Sequence, residues 1–365
     1  MPTSSTNYYP ALTGIRAIAA WMVFLHHFNF ITPDIFGASL HAFFNEFHIG
    51  VTLFFVLSGL LITLRYIDTN LLIKQNLATY FLNRFARIYP AYFIILTINF
   101  IWLITVHVPL PNVAELTKAY VGSIFLIQGF FVHFSAELLP QSWSLTVEEC
   151  FYASCPIIFM LIKKRNIIII SLPITLIAFG ILITLLFANI NFYGFMGNFR
   201  FLFNFTFFGR CIEFFVGIGL AILYKRYYDS IKKQAWFTII GLVLIGLYTS
   251  ILASLSTPTT LGDYHPFGIF VNNLLLPCTG IACLFWGLLT EYNWITQLLA
   301  TPIMVRLGKA SYIFYLIHLG FFMQVFVSEV SGHPLIVFLY LNMVALLFYS
   351  LVEYPLHKWL KSKIA

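Results

Sequence analysis

Residues 163–188 read KKRNIIIISLPITLIAFGILITLLFA, in which three cationic side chains precede 23 residues without a charged side chain. An α-helix rises about 1.5 Å per residue, so about 20 apolar residues cross the ~30 Å core of a bilayer. Clustered Lys and Arg are typical of the cytoplasmic end of such a helix. We therefore interpret residues 166–188 as a transmembrane span that begins on the cytoplasmic side.

The composition of the whole chain agrees with a membrane protein. Of its 365 residues, 60% are hydrophobic and only 9% are Asp, Glu, Lys or Arg. Soluble globular domains are about 45–50% apolar and about 25% charged. So few charges cannot cover a water-facing surface of this size, which excludes a soluble enzyme, a disordered chain and a DNA-binding module. We expect the lipid bilayer as a partner and no nucleic acid.

Nine other stretches have a comparable length and apolar character. The sequence shows no internal repeat and no linker long enough to separate a second, soluble domain. We predict an all-α, polytopic bundle of about ten transmembrane helices that forms a single domain, residues 1–365. The ten predicted spans are roughly 11–32, 49–68, 89–108, 143–163, 166–188, 207–224, 235–255, 268–290, 306–328 and 335–355.

The distribution of Lys and Arg orients these spans. With ten spans and a cytoplasmic N-terminus, two of the 20 basic residues fall within spans, two lie in outer loops and the other sixteen lie on the inner side. The positive-inside rule requires such an asymmetry. An eleventh apolar stretch, 119–134, is short, and counting it as a span would place the cationic residues 163–165 outside. We interpret it as re-entrant or interfacial, and we expect both termini in the cytoplasm.

The first span contains Arg16 and His27, which are eleven residues apart. That spacing corresponds to about 16 Å of helix rise and nearly three full turns, so both side chains lie on almost the same face. His26 points about 100° away from His27. An imidazole with a pKa near neutrality can act as a general base, which makes His27 a candidate. The alternative is that Arg16 reaches the inner headgroups and His27 is a structural core histidine.

The loop after the second span contains Arg84 and Arg87, three residues apart on one helix face. Guanidinium groups bind phosphate oxygens through pairs of hydrogen bonds, so this pair suits a ligand with several phosphates. An ordinary anchor at the cytoplasmic surface explains the same spacing equally well. Within the second span, Ser58 and Gly59 predict a close helix approach or a kink.

Two adjacent carboxylates mark the start of the fourth span. Ser144 and Glu148 are four residues apart and share a helix face, and Glu149 follows directly. Charged groups at membrane depth are costly and usually face a protein interior or a water-filled cavity. We therefore consider these three residues candidates for a site. His318, in the ninth span, is interpreted first as a polar group of helix packing.

Taken in order, these motifs resemble the acyltransferase-3 family of integral membrane O-acyltransferases, and the resemblance runs nearly end to end. Any one motif is weak, but six in sequence are highly specific. The matching segments are L-x-G-x-R at 12–16 followed by His27, FFVLSG at 54–59, R-x-x-R at 84–87, W-S-L-T-V-E-E-x-F-Y at 143–152, S-Y-x-x-Y-L-x-H at 311–318 and E-x-P at 353–355.

The resemblance implies an enzyme that takes an acyl group, usually acetyl, from cytoplasmic acyl-CoA and delivers it to a hydroxyl of an extracytoplasmic acceptor. Typical acceptors in the family are sugars of cell-surface glycans. Acetyl-CoA would then be the donor substrate, no metal would be needed, and the location would be the plasma (inner) membrane if the source is bacterial. Acceptor specificity is expected in the two longest outer segments, residues 109–142 and 189–206.

The same resemblance implies roles for the candidate residues. Arg84 and Arg87 would hold the phosphates of CoA, and its pantetheine arm would pass Arg16 toward His27. His27 would be the general base or would carry the acyl group itself, and Glu148 would orient the imidazole or assist departure of the thiolate. Supporting or substrate-binding roles would fall to Ser58, Ser144, Glu149 and His318.

Two departures from the family pattern and one competing function remain. Many members have Asp where this chain has Thr13, so a carboxylate partner for Arg16 must come from elsewhere or be absent. The chain ends at Ala365, soon after its last span, so the resemblance implies a transferase without an appended SGNH-type domain. The competing function is a secondary transporter, in which buried His, Glu and Arg would form a proton or substrate pathway.

Overall fold

The structure, a computed structural model, describes residues 8–106, 112–190, 192–227 and 236–362. These residues form α-helices joined by short 3₁₀ and π-helical segments, and the extended pairings among them are two isolated β-bridges. The predicted all-α fold is therefore confirmed for the described part of the chain.

The helices are numbered in chain order. Their bounds are α1 Pro10–His27, α2 Pro33–Phe36, α3 Ala38–Asn45, α4 Gly50–Tyr66, α5 Lys74–Val106, α6 Val113–Ile124, α7 Trp143–Lys164, α8 Ile168–Phe187, α9 Phe199–Phe205, α10 Phe207–Tyr227, α11 Phe237–Leu255, α12 Pro266–Phe270, α13 Ala282–Thr290, α14 Trp294–Leu299, α15 Pro302–Ile317, α16 Phe321–Glu329, α17 Pro334–Phe348 and α18 Tyr354–Ser362. The 3₁₀ segments are Glu46–Ile49, Gln128–Phe130, Pro140–Ser142 and Gly262–Tyr264, and the π-helical segments are Val271–Ile281 and Tyr349–Glu353.

Several of these helices are long and apolar enough to cross a membrane. Among the described residues there are eight such stretches, and α15 with α16 makes a ninth if the bent pair is one span. The chain is therefore a multi-pass membrane protein, as predicted, whereas the orientation of its ends stays a prediction. The eight stretches are Ala38–Tyr66, Lys74–Thr105, Pro140–Lys164, Ile168–Phe187, Phe199–Tyr227, Phe237–Leu255, Pro266–Thr290 and Pro334–Ser362.

The first predicted span, 11–32, is too long. α1 ends at His27, and α1 is not among the stretches that combine spanning length with apolar character. Arg16 and the pair His26 and His27 occupy three of its 18 positions, so its apolar character is weaker than that of its neighbours. The stretch 119–134 is not a span either, because α6 has only 12 residues and a 3₁₀ segment follows it.

The chain contacts divide into two compact units, each made of two separated stretches. Unit 1 contains residues Met1–Asn70 and Ile212–Ser311, and unit 2 contains Leu71–Cys211 and Tyr312–Ala365. Because each unit returns to a distant part of the chain, no linker in the sequence marks where one ends. The single domain predicted from the sequence stays a prediction.

Unit 1 is built around α4, which packs on α1 and on the π-helical segment 271–281. Its core contains Leu12, Val56, Leu60 and Phe285, all nearly or completely buried. A Cβ atom at Gly59 would overlap the carbonyl oxygen of Phe214 on α10. The close helix approach predicted from the Ser-Gly pair in this span is therefore present.

Unit 2 is organised by α5 and α7, which pack against each other. Tyrosine hydroxyls connect them to their surroundings: Tyr80 donates to the carbonyl oxygen of Tyr152 at 3.0 Å, and Tyr92 donates to that of Ser123 at 3.0 Å. Inside an apolar bundle such bonds satisfy polar groups that water cannot reach. α8, by contrast, exposes Ile174, which fits a helix that faces lipid.

The bend in the ninth span has a local cause. α15 and α16 meet at 78°, and Gly320 precedes α16 with φ of +86°. Asn99 Oδ1 accepts the backbone N–H of Phe321 at 2.8 Å, and a Cβ atom at Gly320 would overlap that same oxygen. Glycine is needed here both for the left-handed backbone and for the space.

Candidate functional site

α1 carries three of the residues that the sequence singled out. It is continuous from Pro10 to His27, so Arg16 and His27 lie on one helix as predicted. Arg16 is half-buried and His27, the last helical residue, is exposed. Gly14, in the same motif, lies against the backbone of Leu299, where a Cβ atom would overlap the carbonyl oxygen. This close packing fixes the helix that presents both side chains.

The two neighbouring histidines have different surroundings. His26 is half-buried, and its Nδ1 donates to the carbonyl oxygen of Asn45. Since a carbonyl can only accept, Nδ1 carries the proton, which leaves Nε2 as the ring nitrogen that can accept when the ring is neutral. The ring centroid of His26 lies 4.5 Å from that of His27 and 5.5 Å from that of His48. Three imidazoles therefore gather at the end of α1.

His48 belongs to a carboxylate-rich group in the same unit. Its Nε2 lies 2.9 Å from Glu46 Oε2 and 3.9 Å from Asp263 Oδ2. Glu46 and Asp263 are buried, with exposed fractions of 0% and 5%. Sequence reasoning missed this group. Glu46 and His48 lie two positions apart directly before an apolar span, so the sequence contained part of the signal. Asp263 is too distant in sequence to be connected with them.

In unit 2, Arg84 and Glu148 meet at the same tyrosine. The guanidinium carbon of Arg84 lies 5.7 Å from the ring centroid of Tyr152, within the range of a cation–π contact. The hydroxyl of Tyr152 donates to Glu148 Oε1, one helical turn before it on α7. Tyr152 therefore links a cation to a carboxylate. Its position four residues after Glu148 is visible in the sequence, but its role was not inferred from it.

Arg87 and Glu149 belong to the same cluster. Arg87 and Glu148 both interact electrostatically with Tyr152, and Arg84 and Glu148 with Glu149. Arg84 is only 6% exposed, whereas Arg87 is half-buried. We call Arg84, Arg87, Glu148, Glu149 and Tyr152 the arginine–carboxylate cluster. The structure thus brings together the predicted phosphate-binding pair and the predicted carboxylates.

Ser144 and His318 meet through a hydrogen-bond network in unit 2. Ser144 Oγ and the Tyr315 hydroxyl are 2.8 Å apart, and both donate to the carbonyl oxygen of Gln141, at 2.9 and 3.0 Å. His318 Nδ1 donates to the carbonyl oxygen of Tyr315 at 2.6 Å, and the residue is 1% exposed. Gln141 Nε2 in turn donates to Leu316 O at 2.7 Å. The contacts of Ser144 with Tyr315 and of Gln141 with Leu316 therefore join the start of α7 to the end of α15, and His318 bonds to the same end of α15.

Ser58, the remaining predicted residue, is half-buried on α4 in unit 1. It directly precedes Gly59, whose backbone contacts that of Phe214. Its position therefore matches the predicted packing role, and its role in substrate binding stays a prediction.

In unit 2, the described residues of the two segments predicted to be outer loops, 109–142 and 189–206, contact each other. The backbone N–H of Met196 donates to Phe130 O at 2.9 Å, and that of Val132 donates to Gly194 O at 3.2 Å. A largely apolar, open pocket of about 390 Å³ lies at this junction. Its lining comprises Thr117, Lys118, Val121, Gly122, Phe125, Ile127, Gln128, Phe131, Phe134, Phe192 and Tyr193.

Backbone strain concentrates at this pocket. The non-glycine residues with positive φ in the described chain are Leu126, Tyr193 and Met196, all in these two segments. Such conformations cost free energy and occur preferentially at functional sites. The Tyr193 hydroxyl accepts a hydrogen bond from Lys118 Nζ at 3.0 Å, which also contacts Glu115 Oε1 at 2.7 Å. The hydrogen bond from Lys118 therefore holds the side chain of Tyr193 at the pocket wall.

Known proteins are similar in sequence to this chain over half to nearly all of its length. SACOL0978 of Staphylococcus aureus strain COL, which carries the provisional name of O-acetyltransferase, is 24% identical over 379 residues that cover 96% of this chain. O-acetyltransferase OatA of Staphylococcus aureus strain NCTC 8325 is 29% identical over 203 residues, 51% of this chain and 31% of its own length. The chain spans 58% of the length of SACOL0978. No solved structure shows a significant match.

The family itself follows from a match that covers nearly the whole chain. A sequence profile described as an acyltransferase domain matches residues 9–353. This range includes most of both units and every candidate site residue described above. The chain belongs to the acyltransferase-3 family.

Proposed function

We propose that this protein is a membrane O-acyltransferase that moves an acyl group, in the simplest case acetyl, from cytoplasmic acyl-CoA to a hydroxyl of an extracytoplasmic glycan. The observation that carries the proposal is the acyltransferase profile over residues 9–353. The names of two Staphylococcus aureus relatives support O-acetyl transfer in particular. The plasma (inner) membrane is the location that suits a donor on one side and a glycan on the other.

His27 is the proposed base. Its imidazole is exposed at the end of α1 and is therefore accessible to a substrate, whereas His26 is turned toward Asn45. The neutral ring would accept the proton of the acceptor hydroxyl as the hydroxyl oxygen attacks the thioester carbonyl. The new C–O bond forms, the C–S bond breaks, and the CoA thiolate takes the proton from the imidazolium. If the acyl group is first transferred to the imidazole, the same overall reaction takes place in two steps through an acyl-histidine intermediate.

The arginine–carboxylate cluster is the proposed donor site. Of its two cations, Arg87 is half-buried and accessible, whereas Arg84 is buried against Tyr152. We therefore assign the main phosphate contact to Arg87, and Arg84 would hold Tyr152 and the carboxylates in place while adding positive potential. Arg16, half-buried on α1, would contact the pantetheine arm. Glu148 would be held by Tyr152 in the orientation required for its role.

The pocket in the outer segments is the proposed acceptor site. Its aromatic walls suit the apolar faces of a sugar ring, and the Lys118 and Tyr193 polar groups at its edge suit sugar hydroxyls. Concave pockets with mainly apolar walls and a few fixed polar groups are typical of small-molecule sites. The pocket residues lie in the segments that the sequence indicated for acceptor specificity.

Purified protein in detergent provides the test. With acetyl-CoA and envelope glycan fragments, we expect release of CoA and a mass increase of one acetyl group on the glycan. The matched measurement is solute uptake by proteoliposomes, which a secondary transporter would catalyse without consuming acetyl-CoA. Uptake without acyl transfer would favour the transporter and overturn the proposal.

The acceptor pocket has its own test. Phe134→Leu keeps apolar volume but removes one ring of the wall, and we expect the KM for the glycan to rise about tenfold with little change in the KM for acetyl-CoA. The control is Phe199→Leu, which removes an exposed ring outside the pocket lining. Equal effects of the two variants on the glycan KM would place the acceptor elsewhere.

A further inference from the structure

The group formed by Glu46, His48 and Asp263 in unit 1 has no part in the proposed reaction. Its ligand-type atoms, one per residue, all lie within 4.8 Å of one another. His48 is 14% exposed, and the two acidic residues are buried. We call these three residues the Glu46 cluster.

The spacing of the donor atoms matches a small divalent ion. Zinc bonds of about 2.0–2.1 Å in a tetrahedral shell place neighbouring donor atoms about 3.3 Å apart. In the Glu46 cluster, His48 Nε2 lies 2.9 Å from Glu46 Oε2 and 3.9 Å from Asp263 Oδ2, on either side of that value. The third pair of donor atoms, from Glu46 and Asp263, also lies within 4.8 Å.

The charge of the cluster also calls for a cation. Two buried carboxylates this close repel each other unless a positive charge lies near both. His48 contacts both and supplies at most one positive charge between them. A divalent ion bound to neutral His48 balances both carboxylates, and it replaces the ring proton that otherwise lies against Glu46.

The cluster is preorganised by backbone contacts. Glu46 Oε1 accepts the N–H of Gly262 at 2.8 Å, although 216 positions separate the two residues. Gly262 is packed so tightly that a Cβ atom would overlap the carbonyl oxygen of Leu252, and Gly268 packs against Gly262 in the same way. The loop that carries Asp263 is therefore fixed by the carboxylate of Glu46. Hydrogen bonds of this kind orient ligating carboxylates in metal sites.

We propose that Glu46, His48 and Asp263 form a binding site for a divalent transition-metal ion, with zinc as the best fit. One imidazole nitrogen and two carboxylates suit Zn²⁺ or Mn²⁺, whereas Ca²⁺ and Mg²⁺ favour shells of oxygen alone. Water completes the shell. The ion ties the segment before α4 to the loop before α12, and its main effect is on the stability of unit 1.

Metal content of the intact protein tests the proposal without reference to catalysis. The full chain is purified through a tag that contains no histidine, stripped with EDTA, and dialysed against Zn²⁺ or Mn²⁺ before elemental analysis. We expect one tightly held ion per chain and a higher thermal unfolding midpoint in its presence. His48→Gln and Asp263→Asn should each weaken binding at least tenfold and remove the thermal shift.

His333→Gln is the matched control, since it removes an exposed imidazole from unit 2 and should leave binding unchanged. Unaltered metal content in His48→Gln or Asp263→Asn would overturn the proposal, because the ion would then bind elsewhere. Should both variants fail to fold, the wild-type chain still decides. If the wild-type chain binds neither Zn²⁺ nor Mn²⁺ stoichiometrically and shows no thermal shift, the proposal is overturned. Protonated His48, and not a metal, would then balance these carboxylates.

Discussion

The end of α1 in unit 1 and the arginine–carboxylate cluster in unit 2 concentrate different chemistry. The first brings His26, His27 and His48 to within about 6 Å of a neighbouring ring. The second places two permanently charged guanidinium groups beside Tyr152. Imidazoles exchange protons near neutral pH, whereas guanidinium groups hold their charge at any physiological pH. This difference agrees with our proposal that His27 in unit 1 transfers the proton and that the arginine pair in unit 2 binds the anionic donor.

The two regions also differ in how buried charge is balanced. In unit 2, Arg84 lies over an aromatic ring and interacts with Glu149, so cation and carboxylate compensate each other. In unit 1, Glu46 and Asp263 share a single imidazole. In our proposals, the compensated cluster of unit 2 positions a substrate, while the two carboxylates and the imidazole of unit 1 bind a cation. Substitutions at the end of α1 should therefore change the transfer rate, and substitutions in the arginine–carboxylate cluster should change CoA binding.

The largest expected effect is in unit 1. His27→Ala should lower the transfer rate by about 10²–10⁴-fold, because it removes the proposed general base. Its insertion and its affinity for CoA should remain unchanged, since donor binding is assigned to unit 2. Initial rates and CoA binding of the same preparation check this.

His26→Ala is the control for that comparison and should retain substantial activity. An inactive His26→Ala beside an active His27→Ala would exchange their roles and would shift the motif match by one residue. Full activity in both would remove histidine from the mechanism and leave Glu148 as the candidate base.

The next effect in size concerns donor binding. Arg87→Ala should weaken CoA binding about tenfold or more, because hydrogen bonds to charged groups contribute about 1.5–3 kcal/mol each. Arg87→Lys should recover only part of the loss, since an ammonium group cannot form the paired contact. Calorimetric titration with CoA measures both, with Arg65→Ala as the control for an exposed arginine in unit 1.

Arg84→Ala should weaken CoA binding less than Arg87→Ala but lower thermal stability more, because Arg84 is buried on Tyr152. Unchanged CoA affinity in a correctly inserted variant with both Arg84→Ala and Arg87→Ala would assign the pair to membrane topology alone. It would also contradict the proposal that unit 2 binds the donor.

A smaller effect is expected for the tyrosine that joins the cluster. Tyr152→Phe removes the hydroxyl that donates to Glu148 and should lower the free energy of unfolding by about 1–3 kcal/mol. A double-mutant cycle with Glu148→Gln isolates the contribution of this contact. Additive effects in the cycle would show that Tyr152 does not position Glu148.

The smallest effect should come from an exposed charge pair in unit 2. Hydrogen bonding to Glu115 raises the pKa of Lys118 above its ordinary value. A raised lysine pKa contributes stability below the ordinary pKa of about 10.4, and that contribution is lost only as pH rises through the higher folded-state value. Because the pair is exposed, Lys118→Ala should shift the unfolding midpoint only slightly, and equally at pH 6 and pH 9. A large shift would show that outer-segment charges contribute as much as buried ones.

Much of the fold follows from local patterns. Nine of the ten predicted spans coincide with helical stretches of spanning character, counting α15 with α16, because a run of apolar residues has one main solution in a bilayer. The close approach at Gly59 was also visible, because small residues allow helix backbones to meet. Only α1 differed in kind, since its polar residues reduce the apolar character on which the prediction depends.

The candidate site also has features that local sequence patterns predict and features that they do not. Sequence determined that Arg16 and His27 share a helix and that Ser144 and Glu148 share a face of α7, whereas it placed Arg84 and Arg87 in a loop although they lie within α5. Periodicity within one helix suffices for such statements. The sequence also contains Glu148 and Tyr152 four residues apart, so their contact within one helical turn could have been predicted.

Only the tertiary structure decided the partners that are distant in the chain. Gly262 bonds to Glu46, Tyr315 to Ser144, and Phe321 to Asn99, each across more than 150 positions. No local pattern encodes these pairings, because they depend on which helix faces pack together once every helix has formed. Sequence therefore determined that this is a multi-pass membrane protein of the acyltransferase-3 family with costly charges inside it, and packing decided which partners stabilise each of those charges.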